Sequence, residues 1–114
     1  MKDYLLLIRG GDGRMEDMTE DQRNAHMAAW GQYMGGLQAS GNLAGGLPLT
    51  AEGRVLRNSG ASNELVTNTA GEAVGGYLML KANDYDHAIE LTKGCPVFEH
   101  DGNVEIREVM PMEM

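Results

Sequence analysis

The stretch from Met18 to Gly46, MTEDQRNAHMAAWGQYMGGLQASGNLAGG, constrains the fold more than any other. Thr19 is followed three residues later by Gln22, so each side chain can satisfy the other's free backbone donor in a capping box, and a helix starts there. Glu20 and Asp21 fall in its first turn, where the helix dipole favours negative charge. His26, Trp30, Tyr33 or Met34, and Leu37 recur at intervals of three and four and share one face, while Arg23, Asn24, Gln32 and Gln38 fall mostly on the other. Gly41 closes the helix, and the chain turns back into a short strand over Asn42 to Leu49, which Pro48 limits to an edge or a terminus. Three interior glycines, Gly31, Gly35 and Gly36, each cost about 1 kcal/mol relative to alanine. They are expected to admit close packing by a neighbouring strand or a second subunit. His26 and Trp30, one turn apart, are expected to form a wall of any pocket.

Around this unit the pattern is strand-rich. Lys2 to Arg9 is apolar on both alternating faces, with Tyr4, Leu6 and Ile8 against Leu5 and Leu7, which suits a central strand covered on both sides. Gly10 to Met15 reads as a loop and matches no phosphate-binding pattern. Arg54 to Asn58 and Glu64 to Asn68 are short β-prone runs separated by turn-forming SGASN, hence a hairpin. Val74 to Ala82 is a strand in which Gly75 and Gly76 suggest a bulge or a close backbone approach. Asn83 or Asp84 caps a second helix with Tyr85, Ala88, Ile89 and Thr92 toward the core, ended by Lys93, Gly94 and Pro96. Asn103 to Met110 alternates as a half-buried strand.

Its 114 residues make one domain, 1–114, large enough for its own core. Nine basic against seventeen acidic residues leave a net charge of −8 spread along the chain, which argues against nucleic acid and anionic lipid as partners. The single cysteine, Cys95, permits no intramolecular disulfide and fits a reducing compartment; the longest purely apolar run, Leu5 to Ile8, is far short of a membrane span. A cytoplasmic location is expected.

The element order is strand, helix, strand, hairpin, strand, helix, strand. This is an α+β, ferredoxin-like βαββαβ order with a hairpin insertion. Two helices cover one face of a four-stranded sheet, and Leu5, Leu7, Tyr77 and Met79 on the other face are too apolar for open water. A homodimer packed sheet against sheet, a dimeric α/β barrel, is the expected solution.

Several stretches resemble the YCII-related proteins and, among these, the branch named after a DGPF motif. KDYLLLIRG is similar to that branch's first strand, the helix ending in QASGNLAGG to its first helix and turn, GGYLMLKANDYDHAIEL to its third strand and second helix, and VEIREVMPM to its last strand. The DGPF motif itself is absent: VTNTAGEAVGGY from Val66 to Tyr77 replaces it in a shorter connection. The resemblance implies a catalytic pair of a histidine on the first helix and an aspartate before a proline. Register from Gly41 puts the first on Trp30, and the Cys95–Pro96 pair puts the second on Cys95, so the pair is not carried over intact.

Against these departures stand the residues that still have chemistry. His26 is the candidate general base, with an ordinary pKa of about 6.5 near the working range, and Glu72, just before the third sheet strand, is the candidate acid or base. Arg9 and Arg107 are candidate anchors for a carboxylate or phenolate, unless they are tied up in ion pairs with Glu105, Glu108 or Glu72; Tyr77 is a candidate donor and Trp30 a candidate wall. Cys95 at a helix C-terminus is better read as a small buried hydrophobe than as a nucleophile. Cys95, His87 and His100 have no recognised metal-ligand spacing, and no metal or cofactor is expected. Two functional classes follow. One is a small-molecule-binding or regulatory accessory protein, which the resemblance to proteins linked to sigma factors implies; the other is a small enzyme using general acid–base chemistry on an anionic or aromatic organic molecule.

Overall fold

A computed structural model describes residues 1–10, 18–49, 54–59, 62–67 and 74–111. Strand β1 (Lys2–Arg9) leads to helix α1 (Glu20–Ala39), strand β2 (Leu43–Pro48), strands β3 (Arg54–Ser59) and β4 (Ser62–Thr67), strand β5 (Val74–Ala82), helix α2 (Tyr85–Thr92), a 3-10 helix (Pro96–His100) and strand β6 (Asn103–Glu108). Four strands form one antiparallel sheet in the order β2-β5-β1-β6, which is compatible with a ferredoxin-like arrangement. β3 and β4 pair with each other in a separate antiparallel ladder, Val55 opposite Val66 and Leu56 opposite Leu65.

Local chemistry explains the element ends. Thr19 accepts the Gln22 backbone N–H at 3.1 Å and its own N–H donates to Gln22 Oε1 at 2.9 Å, so the capping box forms as read from the sequence. At the other end Gly41 takes φ +80°, a conformation costly for a side chain, and Asn42 N–H reaches back to the Leu37 carbonyl at 2.9 Å. Asp84 caps α2 by accepting the His87 N–H at 2.8 Å. Pro96 does stop α2, but the chain then coils as a 3-10 helix, with Pro in its first turn where a missing N–H costs nothing.

The sheet has one covered face. Tyr4, Leu6 and Ile8 of β1 and Leu78, Leu80 and Ala82 of β5 point to the helices and meet Leu37, Ala88, Cys95 and Val97 in the core. Alternation puts Leu5, Leu7, Tyr77 and Met79 on the opposite face, where they are half-buried. The register irregularity between Ile8 and Arg9, opposite the Gly76 to Val74 stretch, is the bulge that Gly75 and Gly76 foreshadow.

Two expectations need correction. Tyr85 and Ile89 of α2 do not point into the core: they are 44% and 41% exposed, and only Ala88 and Thr92 are buried. Tyr85 lies over the sheet end, its ring edge-on to Tyr4 at 5.0 Å and its hydroxyl accepting the Glu108 N–H at 2.8 Å. Nor, among the described residues, does a strand pack on Gly31, Gly35 or Gly36; a Cβ at each would meet nothing within 4 Å. All three glycines are at exposed positions of α1, so an added Cβ would face open space.

Candidate functional site

A cleft of about 370 Å³ lies between the middle of α1 and the β2–β5 edge. Its helix wall is His26, Met27, Trp30, Gly31 and Met34, and its sheet wall includes Ile8, Gly46, Gly76 and Leu78. Two glycines of neighbouring strands belong to the sheet wall: Gly46 lies opposite Leu78, and Gly76 opposite Ile8 and Pro48. Gly46 cannot carry a side chain, since a Cβ there would stand 2.5 Å from Leu78 Cδ2 and 2.6 Å from the Tyr77 carbonyl. The volume lies within the range of small-molecule sites, and the lining is almost wholly apolar.

The main polar feature of the helix wall is a pair. His26 is 9% exposed, and its Nε2 accepts the Trp30 indole N–H at 3.0 Å, with the rings edge to face at 6.3 Å and 88°. An Nε2 that accepts fixes the neutral ring as the Nδ1-protonated tautomer. The spacing of four residues along one helix face makes the bond possible. Its chemical consequence is that Nε2 cannot take a proton from a substrate without releasing Trp30.

Between Trp30 and Cys95 lies an apolar bridge. Trp30 packs edge to face on Tyr33 at 6.0 Å, and Tyr33 lies against Gly94, 3.7 Å from where its Cβ would be. The Tyr33 hydroxyl donates to the Leu91 carbonyl at 2.7 Å, and burial drives its pKa well above the usual tyrosine value, with neighbouring Cys95 adding to the effect. Cys95 is itself buried, and burial pushes its thiol up, so it stays protonated and behaves as the small hydrophobe read from the sequence.

The remaining candidates do not join this pair. The backbone of Tyr77 belongs to the cleft rim, but strand alternation sends its side chain to the face opposite Leu78. Arg9 and Arg107 are on that same opposite face. Both bind Glu105, Arg9 Nη1 to Oε1 at 2.9 Å and Arg107 Nη1 to Oε2 at 3.1 Å, and together they hold its carboxyl below the ordinary range, Arg107 contributing most. The ion-pair reading of the two arginines is the one observed. The sheet therefore separates His26 and Trp30 from Arg9, Tyr77 and Arg107. Glu72 lies outside the described residues, as does the His100 side chain; His87 accepts the Asn83 N–H at Nδ1, 3.0 Å away, and serves the start of α2. Among the described residues no three His, Cys, Asp or Glu converge as a metal would require, and no helix is long and apolar enough to cross a membrane.

Sequence reasoning named His26 and Trp30 but passed over Met27, Gly31, Met34 and Gly46 as lining residues. The available signal was the recurrence of glycine pairs, Gly45–Gly46 and Gly75–Gly76, in two strands that the fold makes neighbours.

A four-stranded antiparallel sheet with two helices on one side and a cleft under the first defines a small α+β domain protein with a ligand-sized site. The YCII-related domain model matches residues 3–113, nearly the whole chain. The protein belongs to the YCII-related family, a class of uncharacterised function. No curated protein matches the chain by sequence.

Proposed function

We propose that this protein, a one-domain member of the DGPF-like branch that has lost the motif, is a cytoplasmic small-molecule-binding accessory protein rather than a catalyst. The observation that carries the reading is the 370 Å³ apolar cleft whose one buried imidazole already accepts a hydrogen bond from Trp30. An uncharged or weakly acidic aromatic molecule fits such walls: Trp30 offers a ring face, Met27 and Met34 adaptable apolar contact, and His26 sets the tautomer behind them. Two copies joined through the Leu5, Leu7, Tyr77 and Met79 face, with the β3–β4 ladder as an insertion in a ferredoxin-like order, complete the assembly as a dimeric barrel.

Trp30 is the chain's single tryptophan and lies in the cleft, so its emission reports occupancy. Titration with phenol, benzoate and indole is expected to change that emission saturably, with a Kd below about 1 mM, equivalent to roughly 4 kcal/mol of binding. Gly31→Leu places a side chain at the cleft wall on a helix position open to it and is expected to abolish the response with the fold intact. Absence of any saturable change with all three probes would sink the reading.

A second reading keeps His26 as a general base, favoured by its position in the cleft wall. It requires release of Trp30, so a Trp30→Phe variant, which removes that donor, would raise rather than lower any turnover. A Trp30→Phe variant that loses turnover would rule it out.

A further inference from the structure

We infer that Met27 is an oxidation site through which a small hydroperoxide lowers the affinity of the cleft for apolar ligands, an inference that rests on the ligand-binding reading above. Two thioethers line the helix wall, Met27 and Met34, and they differ in access. Met27 is 60% exposed, whereas Met34 is half-buried and packs against the core. A helical side chain leans over the turn that precedes its own Cα, so the position four residues on is the one whose side chain would cover Met27. That position is Gly31, and a Cβ there would meet nothing within 4 Å. Met27 thus combines two properties that Met34 does not: it belongs to the apolar lining and it is open to a water-borne oxidant.

The chemistry is a two-electron oxygen transfer. The Met27 sulfur attacks one oxygen of hydrogen peroxide, an S–O bond forms as the O–O bond breaks, and the departing hydroxide takes up the proton left on the transferred oxygen and leaves as water. Sulfur is oxidised to the sulfoxide and peroxide is reduced. The product puts a polar acceptor in an apolar wall, beside an indole N–H that is already given to His26 Nε2 at 3.0 Å. A ligand packed against it must strip water from the sulfoxide oxygen without offering a hydrogen bond in return, which costs affinity. Met1 and Met110, 72% and 77% exposed, meet the same oxidant but lie outside the cleft lining, so their oxidation leaves binding unchanged.

The test is stepwise treatment of the full chain with hydrogen peroxide, followed by peptide mass mapping, circular dichroism, and Trp30-emission titrations with phenol, benzoate and indole. Met27 is expected to gain an oxygen before Met34 does. Wild type is then expected to bind about tenfold more weakly than before treatment, with unchanged dichroism, and to recover when a methionine sulfoxide reductase removes the oxygen. Met27→Leu, whatever its own starting affinity, is expected to give the same Kd before and after peroxide, while Met34→Leu is expected to weaken as wild type does. Oxidation of Met34 ahead of Met27, a wild type that binds equally well once Met27 is oxidised, a loss of affinity that comes with loss of helical dichroism, or a Met27→Leu that peroxide still weakens would each overturn the oxidation site and leave the cleft reading standing. Untreated wild type that binds none of the three probes would overturn both.

Discussion

At the scale of single residues the most informative contact is between His26 and Trp30. Replacing His26 by alanine removes the acceptor for a half-buried indole N–H and opens space behind it, and is expected to cost about 2–4 kcal/mol. His26→Gln keeps an acceptor and is expected to cost less than half as much; urea melts of the two variants decide. If both cost the same, the hydrogen bond is not what the site spends its histidine on. Tyr33 and Cys95 give a prediction at alkaline pH. Both have folded pKa values raised by burial, so both bind their protons more tightly folded than unfolded. Their stabilisation is complete below the unfolded values, about 8.5 for a thiol and 10 for a phenol, and is lost as pH rises through the folded ones. Urea stability is therefore expected to fall between about pH 8.5 and 11. Cys95→Ala and Tyr33→Phe together are expected to flatten that fall, while Tyr33→Phe also loses about 1 kcal/mol at neutral pH with its bond to the Leu91 carbonyl.

At the scale of elements, glycine separates what was legible from what was not. The capping box at Thr19, the turn at Gly41 and the cap at Asp84 were all readable, because each is settled by residues within a few positions of one another. The role of the helix glycines was not, since it depends on what lies opposite them. With open space around all three, Gly35→Ala and Gly36→Ala are expected to stabilise the isolated protomer by about 0.5–1 kcal/mol each in thermal melts. Gly102 gives the contrast: its Cβ would collide with Val97 and stand 2.9 Å from the Arg9 carbonyl, so Gly102→Ala is expected to destabilise by at least 1 kcal/mol. The same dependence explains Tyr85 and Ile89. Periodicity marks an apolar face on α2, but in the folded chain Ala88 and Thr92 are its buried residues, with Leu91 partly buried against the core.

At the scale of the whole molecule, the chain's ends hold its centre. β1 pairs with β5 on one side and with β6 on the other, so Leu6 lies between Leu78 and Ile106 although Ile106 is a hundred positions away in sequence. Removing residues 103–114 unpairs one side of the central strand and takes Val104 and Ile106 off the core; the truncated chain is expected to lose its cooperative melt, measured by circular dichroism. The amino-acid sequence alone determined the two helices, the strands and their order, the helix caps, and the alternation that makes β1 apolar on both faces, because these rest on contacts between near neighbours; the 3-10 helix after Pro96 was not among them. Which candidate residues share a site was decided only by the tertiary structure. Strand alternation and the order β2-β5-β1-β6 put Arg9, Tyr77 and Arg107 across the sheet from His26 and Trp30, and brought Gly46 and Gly76, thirty residues apart, into the lining of one cleft with Trp30. That pairing depends on packing between distant segments, which no local pattern encodes.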